Sequence, residues 1–265
     1  MKLVSLMENT TKRPDILAEH GLSLYIETEG KKILFDSGQS DAFLQNAKTL
    51  GVDLKDVDMA ILSHGHYDHS GGLLSFLDLN KKATVYLRED AGLRYYNSIR
   101  KAEIGIDPAL LKNNRIHFTK DVEKLAPNMV LYSCNEKERP YPSPAYGLCK
   151  AQGETWVPDD FLHEQYLEIT ENGKRILISG CSHKGILNIV SWFTPDILVG
   201  GFHLMKLDPQ TESDRQTLLK TAQILNEFPT QYYTCHCTGE PQYQFLKTYM
   251  GDKLHYLSSG MSILV

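Results

Sequence analysis

No stretch of this chain approaches the ~18 consecutive apolar residues that a membrane-crossing helix needs, so no such span is expected. The opening residues, MKLVSLMENTTKRPD, lack the long apolar run and small-residue cleavage pattern of a secretory leader. Cysteine is scarce and odd in number, at five, and Cys235 and Cys237 are too close together to pair comfortably. Reduced thiols and a cytoplasmic location are therefore expected. Basic charge is also short: 28 Lys and Arg stand against 33 Asp and Glu, scattered rather than striped, for a net charge of −5. Phosphate neutralisation dominates nucleic-acid affinity and needs a basic patch, so a nucleic-acid partner is not expected either. No short-period repeat and no low-complexity segment occurs.

What remains is ordinary globular material, 42% apolar and 23% charged over 265 residues. KLVSLME, LSLYIETEG and KKILFDSG read as strands, with Glu29-Gly30 as the turn between the second and third. Residues 40–50, SDAFLQNAKTL, carry helical spacing between a Ser cap and Gly51. VDMAIL is a buried strand, GGLLSFLDLN a short helix and ATVYLRE another strand. From about residue 90 to 150 the rhythm breaks: AGLRYYNSIRKAE reads as a helix, and RPYPSPAYG is rich in proline. This region is expected to be an insertion or lid on one domain spanning 1–265. Afterwards YLEIT, RILISG, DILVGGF and QYYTCHC read as strands and KGILNIVSWF and SDRQTLLKTAQILNEF as helices, ending in a strand-like tail. Two similar halves of this kind predict an α/β protein, an α/β/β/α sandwich with its site along one sheet edge.

The densest chemistry is SHGHYDHSGG, at 63–72, leaving the strand VDMAIL. Imidazole nitrogens and carboxylate oxygens are the usual ligands of zinc, iron and manganese. His64 and His66 stand two apart, so in an extended loop both rings point one way. Asp68 and His69 follow where the chain turns towards a helix and can face a neighbouring point. Glycines at 65, 71 and 72 permit so tight a path. A solvated polar loop is the alternative, but four candidate ligands in six residues favour a metal.

The same residues carry a resemblance. HGHYDH fits the H-x-H-x-D-H motif of the metallo-β-lactamase fold superfamily, and MENTT, EHGLSLYIE, LFDSGQS, NAKTLGVDL, SGCSHKGILNIV, VGGFHL and CHCTG resemble one of its subgroups. That subgroup is named after an archaeal dihydropterin ribofuranosyl-aminobenzene phosphate synthase. The resemblance implies an αββα sandwich and two divalent metal ions, zinc first, with iron or manganese as alternatives. His64, His66, Asp68 and His69 would be ligands, and His236 would complete the second metal. Where the superfamily has the Asp of a Gly-Asp pair, this chain has Cys181, which is either a thiolate ligand or a small core residue. The last histidine of the first metal falls on either His163 or His183. Glu164 is a further oxygen ligand or orienting group. Asp36 and Asp58 match carboxylates that the fold keeps beneath its metals.

Paired ions generate a hydroxide nucleophile at neutral pH and stabilise a departing oxygen. The expectation is thus a metal-dependent hydrolase of a small ester or phosphoester, phosphorylated or pterin-like, with Tyr95, Tyr96 and Tyr146 available for stacking. Asp68, His183 and His203 are the catalytic candidates; His203 is an acid, a substrate contact or a ligand. His20 is expected at the pocket rim, and nothing is expected of His117 or His255. The rivals are a di-iron redox enzyme and a non-catalytic metal-binding regulator.

Overall fold

Side chains alternate between two faces along Ser23–Thr28 and Lys31–Phe35. Leu24, Ile26, Ile33 and Phe35 enter one core, while Tyr25 and Leu34 enter another. A strand that is apolar on both faces must be covered on both, and that requirement builds the whole fold. The computed structural model describes residues 1–265.

The first sheet runs β18 (Ser262–Leu264), β1 (Lys2–Met7), β2 (Ser23–Thr28), β3 (Lys31–Phe35), β4 (Met59–Ile61), β5 (Thr84–Leu87) and β8 (Ile116–Phe118). The second runs β17 (Leu254–Tyr256), β16 (Gln231–Thr234), β15 (Ile197–Val199), β14 (Lys174–Ile178), β13 (Tyr166–Glu171), β10 (Met129–Tyr132) and β9 (Val122–Ala126). Their inner faces share one core, in which Ile33, Phe35 and Ile61 belong to the first sheet and Ile176, Ile178 and Val199 to the second. The outer face of the first sheet packs on α1 (Ala42–Thr49) and α3 (Leu73–Leu79). That of the second packs on α4 (Ile186–Phe193), α5 (Glu212–Glu227) and α6 (Glu240–Met250). The result is the expected αββα sandwich.

Each sheet is parallel over half its width: β3, β4, β5 and β8 in one, β14, β15, β16 and β17 in the other. Parallel strands deliver their carboxyl ends to one edge, where open α/β sheets bind ligands. The short helix α2 (Tyr67–Ser70) lies there, just beyond β4.

Three expectations fail. AGLRYYNSIRKAE is not a helix: it contains β6 (Tyr95–Asn97) and β7 (Ala102–Glu103), which pair in a small sheet with β11 (Leu148–Gln152) and β12 (Thr155–Pro158). Tyr95 and Asn97 are buried with Tyr96 between them more open, a period of two that outweighs helical propensity. Residues 90–150 are also not wholly an insertion, since β8, β9 and β10 belong to the two large sheets. Near the end, α6 replaces part of the strand-like tail; Pro241 stands in its first turn, where the missing N–H costs nothing. No helix is long and apolar enough to cross a membrane.

Candidate metal centre

Four strand ends meet at the edge, and each leads into a residue in the left-handed backbone region. These are Asp36 (φ 58°), Ser182 (φ 60°), His203 (φ 51°) and His236 (φ 49°). Such non-glycine conformations persist only where the surroundings enforce them, and they cluster at functional sites. They turn the side chains of four loops inward over the sandwich.

The hydrogen bonds fix where the protons lie. Ser63 donates its backbone N–H to Asp36 Oδ1 (2.7 Å) and its hydroxyl to Oδ2 (2.7 Å). His64 Nδ1 lies 2.8 Å from the same hydroxyl oxygen, so the ring must donate there and leave a lone pair on Nε2. His69 Nδ1 donates to Asp36 Oδ2 (2.6 Å), and His236 Nδ1 to Asn9 Oδ1 (2.7 Å). Yet His69 Nε2 lies 3.2 Å from His236 Nε2 and 3.1 Å from Cys181 Sγ, and His64 Nε2 lies 3.2 Å from His183 Nε2. Lone pairs turned on one another at that range repel unless a proton or a metal ion stands between them. Burial pushes the His69 imidazole down, but the Asp36 and Asp68 carboxylates outweigh it and raise the ring towards its protonated form. His66 Nε2 is buried without a partner beside them. This donor set fits divalent metal ions, and the outer nitrogens of His64, His69 and His236 are anchored as ligating histidines require, while that of His183 is buried without a partner.

The ligand atoms gather at two foci. His64, His66 and His183 form one; Asp68 and His236 stand at the other, where Asp68 Oδ2 lies 3.4 Å from His236 Nε2 and 3.9 Å from His69 Nε2. Cys181 groups with His64 and His69, and again with His183 and His203, so it lies between them. Burial pushes the His64, His66 and His183 imidazoles down, keeping them neutral and able to coordinate. Burial pushes Asp68 up, but His69, His20 and His236 together outweigh it and hold the carboxylate ionised. Burial pushes the Cys181 thiol well up, so it would release its proton only beside a cation.

The remaining sequence candidates fall into place around these groups. His163 is buried close by, but its Nδ1 accepts the Gly65 N–H (2.8 Å) and its Nε2 faces Asp159 (3.1 Å). With both nitrogens engaged, it braces the 64–66 loop, whereas His183 Nε2 faces the donor cluster. Glu164 is no oxygen ligand. Its carboxylate accepts the N–H groups of His183 (2.7 Å) and Lys184 (3.0 Å) and orients that loop. Asp58 is not beneath the donor cluster: it stands before β4, at the far end from the site, accepting the Lys32 N–H and pairing with Lys82. Of the three tyrosines Tyr146 lines the cavity beside the site, while Tyr95 is buried against the His163 ring and Tyr96 stacks on Trp156. His20 lies at the rim as expected, 3.2 Å from Asp68. His117 and His255 sit on β8 and β17, paired with Glu123 and stacked on Tyr233.

Sequence reasoning missed Glu8, which accepts the His236 N–H (2.7 Å), together with Asn9 and Asp159. MENTT was visible as a motif, but nothing local says that it would meet a residue more than two hundred positions away. A cavity of about 130 Å³ opens onto the ligands, with Arg100 and Lys206 among its lining.

Residues 17–112 match the family model of the metallo-β-lactamase superfamily. The chain is also 30% identical over 251 residues to an uncharacterised protein of Methanocaldococcus jannaschii, covering 89% of this chain and 91% of that one. This chain belongs to the metallo-β-lactamase superfamily. A second M. jannaschii protein, 7,8-dihydropterin-6-methyl-4-(β-D-ribofuranosyl)-aminobenzene-5′-phosphate synthase, is 29% identical over 273 residues, 90% of this chain and 88% of its own. Among solved structures, Tm1679, a metal-dependent hydrolase of the same superfamily, is 29% identical with a TM-score of 0.83. That match covers 100% of this chain and 99% of Tm1679. The metallo-β-lactamase fold and the resemblance read from HGHYDH both stand.

Proposed function

We propose that this metallo-β-lactamase superfamily member is a metal-dependent hydrolase of small esters or phosphoesters, with two divalent ions side by side. His64, His66 and His183 would hold one ion and Asp68, His69 and His236 the other, with Cys181 reaching the space between. A thiolate among imidazoles favours zinc. The observation that carries this reading is the convergence of His69 Nε2 and His236 Nε2, 3.2 Å apart with both outer nitrogens already committed. Bound there, such ions supply Lewis acidity towards the ester and a nucleophile from water at neutral pH.

The protein's own groups do the rest. His203 turns an unpartnered imidazole towards the ligands, its ring centroid 4.2 Å from that of His183, and is placed to hydrogen-bond or protonate a leaving oxygen. Arg100 and Lys206 offer cations for a phosphate. A phosphorylated, pterin-like substrate draws support from the name of the 29%-identical synthase. That name also favours a second reading, in which the same centre serves a synthase reaction.

His66→Ala is the test, read by elemental metal analysis and by turnover of p-nitrophenyl phosphomonoesters, phosphodiesters and carboxylic esters. The variant should lose metal and at least ~100-fold in activity with unchanged circular dichroism, since losing even an outer partner of a ligand costs up to about that much. Turnover surviving without metal overturns the mechanism. Metal binding without turnover of any ester favours the synthase reading.

A further inference from the structure

The cavity over the ligands, at about 130 Å³, is smaller than the ~300–1,000 Å³ of ordinary small-molecule sites. It has room for a reacting ester and little more. Beside it lies a second cavity of about 420 Å³, within that range, and His203 is the one residue that lines both.

The walls of the second cavity mix flat apolar side chains, among them Pro142, Pro144, Tyr146 and Phe202, with polar ones such as Thr217 and Lys220. The proline-rich wall is held in place. Asn188 accepts the Tyr141 N–H (3.0 Å) and donates to the Tyr141 carbonyl (2.8 Å), and the Ser143 hydroxyl donates to the carbonyl of His183. This wall is thus tied to the loop that carries a metal-ligand candidate. Tyr146 and His203 are both in the left-handed region, with ring centroids 5.9 Å apart. Both ring nitrogens of His203 are buried without a partner, which in a native protein calls for a ligand or water to satisfy them. A cavity with proline and aromatic side chains on a hydrogen-bonded wall, and one unsatisfied imidazole where it meets the first cavity, suits a planar ring with a polar edge.

We infer that the second cavity binds the non-reacting part of the substrate, an aromatic or heteroaromatic ring whose polar edge meets His203, while the attached ester lies over the ligands. The inference rests on the hydrolase reading for the position of the ester, but not for the binding of the ring.

Isothermal titration of the intact, metal-loaded protein with 1-naphthyl phosphate and methyl phosphate tests it. The naphthyl ester should bind at least tenfold more tightly. Thr217 is exposed on α5 and lines the cavity, so Thr217→Trp fills it at little structural cost. This variant should lose at least tenfold for 1-naphthyl phosphate and nothing for methyl phosphate. Equal affinity of the wild type for the two esters, or a Thr217→Trp effect that is absent or the same for both, overturns the inference. Should that variant misfold, a crystal soaked with 1-naphthyl phosphate decides instead: the ring lies against Tyr146, or it does not. Naphthalene-1-sulfonate titrated into metal-stripped protein separates the two claims. Binding there, in a protein that proves not to be a hydrolase, leaves the cavity assignment standing; tight metal and turnover without any naphthyl preference sinks the cavity assignment alone.

Discussion

Asp36 carries much of the proton arrangement at the centre. Fully buried, it accepts from the backbone and hydroxyl of Ser63 and from the His69 ring, and through Ser63 it also sets the tautomer of His64. Asp36→Asn replaces one acceptor oxygen by a donor, so that either Ser63 or His69 loses its partner. Metal affinity should fall by ~10–100-fold with the fold retained, as measured by competition with a chromophoric chelator; unchanged affinity would remove Asp36 from the site. At this scale much of the centre was legible, because a strand end followed by clustered ligands is a local pattern. Asp36 in LFDSG and the HGHYDH cluster were found that way. Asp58 was misread because its place along the strand, and not its residue type, decides whether it reaches the donor cluster. Glu8, Asn9 and Asp159 were missed because their partners are set by packing of distant segments.

Among the elements, the turn through α2 depends on glycine. A Cβ at Gly71 would lie 2.1 Å from the Gln39 carbonyl oxygen, closer than any backbone can tolerate. Gly71→Ala should therefore shift α2 and cost on the order of 2 kcal/mol, roughly 4–8 °C in a melting curve for a chain of this size. A wild-type melt would show that the turn relaxes freely. Asp58 makes a different kind of tie, joining the start of β4 to Lys32 on β3 and to Lys82. Burial pushes its carboxyl up, but the Lys32 N–H and the Lys82 ammonium outweigh this and hold it below its ordinary value of 3.8. A depressed carboxylate adds stability above that ordinary value and loses it as the pH falls through the folded one. Asp58→Asn should thus lower stability at pH 7, by no more than about 1 kcal/mol for so solvated a pair, seen as a lower melting temperature. The gap should close as the pH drops below 3.8, with metal content unchanged. A constant gap across pH, or lost metal, would contradict that role. Most elements were readable from periodicity, but β6 and β7 were not. Their strand character comes from pairing with β11, fifty residues on, and propensity alone pointed to a helix.

Across the whole molecule, the two sheets are variations on one plan, and the centre exists only where their parallel halves meet. Residues 64–69 come from the first sheet and Cys181, His183, His203 and His236 from the second, so no local segment contains a complete set of donors. The sandwich was legible because alternating apolar strands leave few ways to bury both faces. That His163 would have both ring nitrogens engaged was not, since it depends on which of them a distant backbone N–H happens to occupy. Crystals grown with zinc, with anomalous diffraction collected at the zinc edge, test the convergence most directly. Two peaks are predicted, one within bonding distance of His64, His66 and His183 and the other within bonding distance of Asp68, His69 and His236. No anomalous density at either cluster, with the histidine rings turned away from one another, would contradict the account.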